Sequence, residues 1–163
     1  MTCIAWDGRT LAADRQATLD GRRRPVTKLY DLKDALPAAD GEHPGRRVLV
    51  AVTGDHECAL GLVEWVRGGE DPAKWPAYQK HDSFNTLIVI RLNHKFQPIL
   101  CMYEAEPIRQ VLFTDEPFAW GVDAGMALAA MAAGATALQA VEIAGQLSIY
   151  SGLGVDTLAV SAL

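Results

Sequence analysis

The chain commits itself to a sheet with almost its first residues. Thr2 to Trp6 and Thr10 to Ala13 are short runs of apolar and β-branched residues, and Asp7-Gly8 between them suits a tight hairpin turn. Residue 2 is thereby held against a sheet and is not left on a loose tail.

The same reasoning carries along the chain. Val26 to Leu32 and Arg47 to Thr53 read as further strands, separated by a surface loop rich in Pro, Gly and Asp from Pro37 to Gly45. Asp55 is placed to cap a helix in which Ala59, Leu60, Leu62, Val63 and Val66 repeat at helical spacing until Gly68-Gly69. After the two prolines between Asp71 and Lys80, Thr86 to Leu92 pairs with Phe96 to Tyr103 across Asn93-His94-Lys95.

Two helical blocks follow, from about Asp123 to Ala133 and from Thr136 to near Tyr150, the second opened by the capping-box pattern Thr136-Ala137-Leu138-Gln139. The consecutive small residues from Ala127 to Ala137 suit close helix packing. Thr157 to Val160 returns to strand composition. Strands, helix, strands, two helices and a strand predict sheets packed against helices, an α+β chain. At 163 residues it has the size of one domain, residues 1–163, able to bury a core without disulfides or metals.

Composition removes several classes of function. A net charge of −5, with Arg22 to Arg24 as the one basic cluster, is a poor footprint for nucleic acid. Cys3, Cys58 and Cys101 form an odd set without CxxC or zinc-ligand spacing, which fits a reducing compartment. No apolar run reaches the roughly 18 to 20 residues that span a bilayer, and no basic-then-apolar leader opens the chain. The expectation is a cytoplasmic protein with no membrane and no nucleic-acid partner. His43, His56, His81 and His94 sit in loops or near turns without an acidic partner at informative spacing, and no GxSxG elbow is present.

Position 2 carries the candidate chemistry. An initiator Met before a small residue such as Thr is ordinarily trimmed, which leaves a hydroxyl and a free α-amine on one residue. A threonine hydroxyl is a weak nucleophile, and an α-amine with a pKa near 8 can take its proton. Taken alone, Thr2 is only a β-branched residue opening a strand. Two further segments give it company: Leu11-Ala12-Ala13-Asp14-Arg15-Gln16-Ala17-Thr18 and Val26-Thr27-Lys28-Leu29-Tyr30.

Together these segments resemble the start of proteasome β subunits and of HslV, N-terminal-nucleophile hydrolases whose Thr, Asp and Lys form the catalytic group. Ala51-Val52-Thr53-Gly54 is similar to the strand end and glycine that supply the family's oxyanion-hole N–H. Ile143 to Ser151 is similar to the late helix of HslV, and the variants look closest to the betaproteobacterial proteasome homologue.

The resemblance implies a four-layer αββα sandwich, two antiparallel sheets between helical layers. It implies a threonine-type endopeptidase with Thr2 as nucleophile once Met1 is removed, Lys28 and Asp14 tuning it, and Gly54 N–H holding the oxyanion. Lys28 beside Thr2 would lower the pKa of its hydroxyl and amine. The chain departs from the family at Gly121-Val122-Asp123, where the family carries a serine that bonds the threonine amine; Asp123 is the candidate to accept from that amine instead. Ser148 stands where proteasome subunits have aspartate, which follows HslV. By that likeness carbonyls of Gly145, Ser148 and Ser151 are candidate ligands of a monovalent or hard cation, with no cofactor required.

Partners implied are identical subunits in two stacked rings of six or seven, unfolded polypeptides or peptides as substrates, and an ATPase unfoldase. The alternative is a catalytically silent ring protein serving as scaffold or binding chamber, with Val122 as its support. Cys3, next along the strand from Thr2, is expected to pack on the opposite face.

Overall fold

The computed structural model describes residues 2–32, 47–76, 86–92, 97–104, 106–108, 110–112 and 116–160. It forms two compact units, residues 1–29 with 114–163, and residues 30–113. It is α+β, with three helices and antiparallel strand pairs among the described residues.

In the first unit β1 (Cys3–Trp6) and β2 (Thr10–Asp14) form the expected hairpin. Asp7 shapes the turn by accepting the N–H groups of Arg9 and Thr10 on Oδ1, at 3.0 and 2.8 Å, a local bond that Asp makes readily. β10 (Phe118–Gly121) pairs antiparallel with β1, and β11 (Val155–Ala159) with β2, so the order is β10-β1-β2-β11.

One face of this sheet presents Cys3, Ala5, Ala12 and Ala119, the alternate residues of their strands, to α2 (Ala124–Ala132) and α3 (Ala137–Leu147). The helices answer with Ala127, Met131, Ala137, Ala140, Val141 and Ala144. Small side chains on both sides let the backbones approach closely, as the alanine-rich block predicts. The capping box of α3 is formed: the Thr136 hydroxyl accepts the Gln139 N–H, and the Gln139 side chain accepts the Thr136 N–H. Such a cap is worth about 1 kcal/mol. The helix ends at Leu147 and not near Tyr150, because Ser148 turns extended while its N–H closes the last turn on Ala144 O.

β3 (Gln16–Leu19) and β4 (Arg22–Pro25) make a two-stranded ribbon. The turn residues Asp20 and Gly21 both have positive φ, 49° and 71°, the geometry that matches the twist of a two-residue hairpin. Arg22 to Arg24 are therefore exposed strand residues. The strand expected from Val26 begins at Leu29, because Val26 to Lys28 serve as the link from the ribbon.

In the second unit the order is β5 (Leu29–Leu32), β6 (Val48–Val52), β7 (Leu87–Leu92), β8 (Pro98–Tyr103) and β9 (Gln110–Leu112). α1 (His56–Arg67) lays Ala59, Leu62, Val63 and Val66 on Val48, Val50, Val52, Leu87 and Val89. These four are the i, i+3, i+4, i+7 part of the predicted set; Leu60, expected on the same face, is 44% exposed. Asp55 accepts the Cys58 N–H at 3.1 Å, as a cap does. Trp65 meets Trp75 and Tyr103 edge to face, with centroids 4.7 and 5.2 Å away. The loop Pro37 to Gly45 and the turn Asn93 to Lys95 lie outside the described residues.

Candidate functional site

Six polar or charged side chains are buried among the described residues: Thr2, Asp14, Gln16, Lys28, Asp123 and Ser151. All six belong to the first unit. A small unit keeps that many polar groups from water only if they satisfy one another.

Asp14 is the hub. Placed at the end of β2, its carboxylate is 1% exposed and takes four donors. Oδ1 accepts from the Cys3 N–H and from Lys28 Nζ, each at 2.8 Å. Oδ2 accepts from the N–H groups of Gln16 at 2.9 Å and Gly152 at 3.3 Å. Lys28 Nζ donates a second bond to Gln16 O, also at 2.8 Å. Burial pulls the Lys28 pKa below its ordinary 10.5, with the Asp14 charge opposing it.

Thr2 is buried and directly precedes β1, one residue before the N–H held by Asp14. Its carbonyl accepts the Val122 N–H at 3.0 Å. Gly121 makes that approach possible: at φ +95°, a Cβ there would lie 1.8 Å from Thr2 O. Cys3 points to the helices, as expected. Its thiol is pushed up to about 12, first by burial and then by the Asp14 and Asp123 charges, which leaves it a packed sulfur and a poor nucleophile.

Asp123 occupies the N-cap position of α2 yet makes no side-chain cap bond. Its Oδ2 instead accepts the Ser151 hydroxyl at 2.6 Å, both residues being buried. Val122 beside it is 52% exposed. The turn carrying Ser151 doubles back on α3: a Cβ on Gly145 would stand 3.3 Å from Gly152 Cα. Ser148 Oγ accepts the Tyr150 N–H at 3.0 Å, and Arg15 N–H donates to both Gly152 O and Gly154 O.

The structure thus brings Thr2, Asp14, Lys28, Asp123 and Ser151 into one unit, with Gly145 and Ser148 leading into the same turn. Gly54 belongs to the second unit, two residues past β6, with φ +100°. His56 opens α1, and His43, His81 and His94 lie outside the described residues. Sequence reasoning missed Gln16, whose amide and carbonyl bracket the Asp14 and Lys28 pair. Its signal was faint: a long polar residue two positions after Asp14, at a strand start. Among the described residues no set of three His, Cys, Asp or Glu could hold a metal, and no helix is long and apolar enough to cross a membrane.

No family model matches the sequence, and no curated protein matches it. Solved structures do resemble it. Eukaryotic HslV from Trypanosoma brucei is 20% identical, with 97% of each chain covered and a TM-score of 0.61. The BPH of Thiobacillus denitrificans, solved in complex with epoxomicin, is 19% identical over 99% of this chain and 100% of that one, with a TM-score of 0.64. Anbu, an ancestral beta-subunit from Yersinia bercovieri, is 10% identical over 98% of this chain and 81% of that one, with a TM-score of 0.68. At such identities the likeness establishes the fold, which is that of HslV, BPH and Anbu.

Proposed function

We propose, from a fold shared with HslV, BPH and Anbu, that the chain is a subunit of a self-assembling threonine peptidase whose nucleophile is Thr2 after removal of Met1. The observation that carries this reading is the placement of Thr2: buried, and one residue from an N–H that shares Asp14 Oδ1 with the Lys28 ammonium.

The free α-amine of Thr2 accepts the hydroxyl proton as Oγ attacks the scissile carbonyl. The ammonium so formed returns the proton to the leaving amine as the C–N bond breaks, leaving an ester on Thr2. Water, deprotonated by the same amine, then attacks the ester and frees the carboxylic acid and the threonine hydroxyl. Lys28 supplies positive charge that favours the alkoxide, and Asp14 fixes it there. Gly54 N–H is assigned to the developing oxyanion; removing such a donor commonly costs about 10²–10³ in rate. Asp123, steadied by Ser151, accepts from the Thr2 amine in place of the family's serine.

In this reading residues 1–163 fold as one four-layer αββα domain in the cytoplasm, and identical subunits close two stacked rings of six or seven. The rings admit unfolded chains or peptides, delivered by an ATPase unfoldase. Gly145 lies close against Gly152, and the backbone carbonyls of Gly145, Ser148 and Ser151 are the candidate ligands of a monovalent cation, since such ions prefer oxygen; it would brace the turn.

Intact mass and N-terminal sequencing, followed by epoxomicin labelling, test the proposal. Loss of Met1 with one label per chain, abolished by Thr2→Ala, is expected. A trimmed chain that stays unlabelled would leave the second reading, a silent ring, which the exposed Val122 in place of a hydroxyl favours. Sedimentation of the untreated protein checks the rings, since a monomer would refute both readings.

A further inference from the structure

Gln16 is 1% exposed, and its peptide group is already engaged on both sides: N–H to Asp14 Oδ2 at 2.9 Å, carbonyl to Lys28 Nζ at 2.8 Å. Its side chain reaches away from that pair, and Nε2 donates to Ile149 O at 3.0 Å. The amide oxygen Oε1 is buried with no hydrogen-bond partner among the described residues, and the nearest atom to a Cβ built on Gly152 would be that oxygen, at 3.4 Å. Stranding a buried acceptor is unfavourable. An apolar side chain of equal length would fill the space without stranding one. The amide is therefore explained by its one bond, to the turn that carries Ser151 and Gly152.

That turn touches the site at two further points. Gly152 N–H donates to Asp14 Oδ2 at 3.3 Å, the longest of the four bonds to that carboxylate. The Ser151 hydroxyl holds Asp123 at 2.6 Å. Both contacts depend on where the backbone from Ile149 to Gly152 lies, and Gln16 Nε2 grips the start of it.

We propose that Gln16 is a positioning residue, which fastens the turn from Ile149 to Gly152 onto the Lys28 and Asp14 pair and so sets the reactivity of Thr2. This rests on the reading of Thr2 as the nucleophile. Without the Nε2 bond the Gly152 N–H drifts from Asp14. The local potential grows more negative, protons are held more tightly at Lys28 and at the Thr2 amine, and the base form of the amine is reached only at higher pH.

The test compares wild type with Gln16→Met in the assembled protein by two readouts. Hydrogen exchange of the Gly152 amide reports the fastening without any chemistry. The epoxomicin labelling rate across pH reports Thr2. Expected for Gln16→Met are faster Gly152 exchange and labelling about threefold slower at neutral pH, with the acid limb moved alkaline by about half a unit. Gln16→Leu, which lacks the donor and adds no charge, gives the same result should the Met variant fail to fold. Unchanged Gly152 exchange, or a labelled wild type whose rate and acid limb the variants share, overturns the proposal. A wild type that never labels while Gly152 exchange responds refutes the peptidase reading and leaves the fastening in place.

Discussion

Asp14 Oδ1 lies 2.8 Å from both Lys28 Nζ and the Cys3 amide nitrogen, so one carboxylate oxygen joins a buried cation to the strand that begins beside Thr2. The pair has side-chain exposures of 7% and 1%, which takes it out of the class of surface ion pairs worth little. Removing either partner leaves the other uncompensated. Lys28→Met and Asp14→Asn are each expected to cost about 3–5 kcal/mol in urea unfolding. The double variant Lys28→Met/Asp14→Asn should lose less than the sum, since no buried charge is then left alone. Losses below about 1 kcal/mol for both single variants would show the pair to be solvated.

The lowered Lys28 pKa makes a prediction of definite sign. Between the lowered value and the ordinary 10.5, the unfolded chain holds the Lys28 proton more fully than the folded one. Stability therefore rises with pH across that window and is flat below it, where both states are charged. The unfolding free energy of wild type, less that of Lys28→Met to remove other groups, should climb as pH rises towards the ordinary lysine value of 10.5 and level off above it. A difference that falls with pH would mean that Asp14 outweighs burial.

Much of this arrangement was legible in the residues, for reasons that can be named. Position 2, Asp14 and Lys28 stand out because a resemblance marks them, and the hairpin that carries two of them follows from alternation and Asp7-Gly8. The capping box at Thr136 and the apolar face of α1 are local signals and needed no tertiary knowledge. The ribbon of β3 and β4 went unread although Asp20-Gly21 is a strong hairpin dipeptide, because Arg22 to Arg24 looked like a charge run. β10 was missed because Phe118 to Gly121 is too short to show a period; its pairing with β1 defines it. The bond between Asp123 and Ser151 joins residues 28 positions apart and overrides the capping role that local chemistry assigns to Asp123.

The thiols should separate cleanly by reactivity. Cys3 and Cys101 are buried, Cys58 is half-buried, and the Cys3 pKa is pushed up to about 12. Only the thiolate reacts, so iodoacetamide on the native protein should modify Cys58 first and leave Cys3 untouched until urea unfolds the chain. Rapid native modification of Cys3, read by peptide mass mapping, would mean that β1 opens away from α2 and α3.

Gly121 gives the sharpest steric prediction. Its φ of +95° is a conformation that side chains avoid, and a Cβ would lie 1.8 Å from the carbonyl oxygen of Thr2 and 2.7 Å from its carbonyl carbon. Backbone atoms cannot rotate aside as a flexible side chain can, so Gly121→Ala must push β10 and the residue-2 backbone apart. The strained φ alone costs on the order of 1–3 kcal/mol, and the Val122 N–H bond to Thr2 O, 3.0 Å long, breaks with the shift. The expected outcome is a lower urea midpoint together with loss of epoxomicin labelling. The converse substitution separates the two effects: Gly134→Ala has open space around its Cβ and a similar φ of +97°, so it bears the backbone strain alone. A Gly134→Ala protein destabilised by about 1–3 kcal/mol yet labelled normally, beside an unlabelled Gly121→Ala, would place the loss at the Thr2 carbonyl. Equal labelling of the two variants would instead show that Thr2 tolerates displacement, and that the approach of Gly121 serves only the sheet.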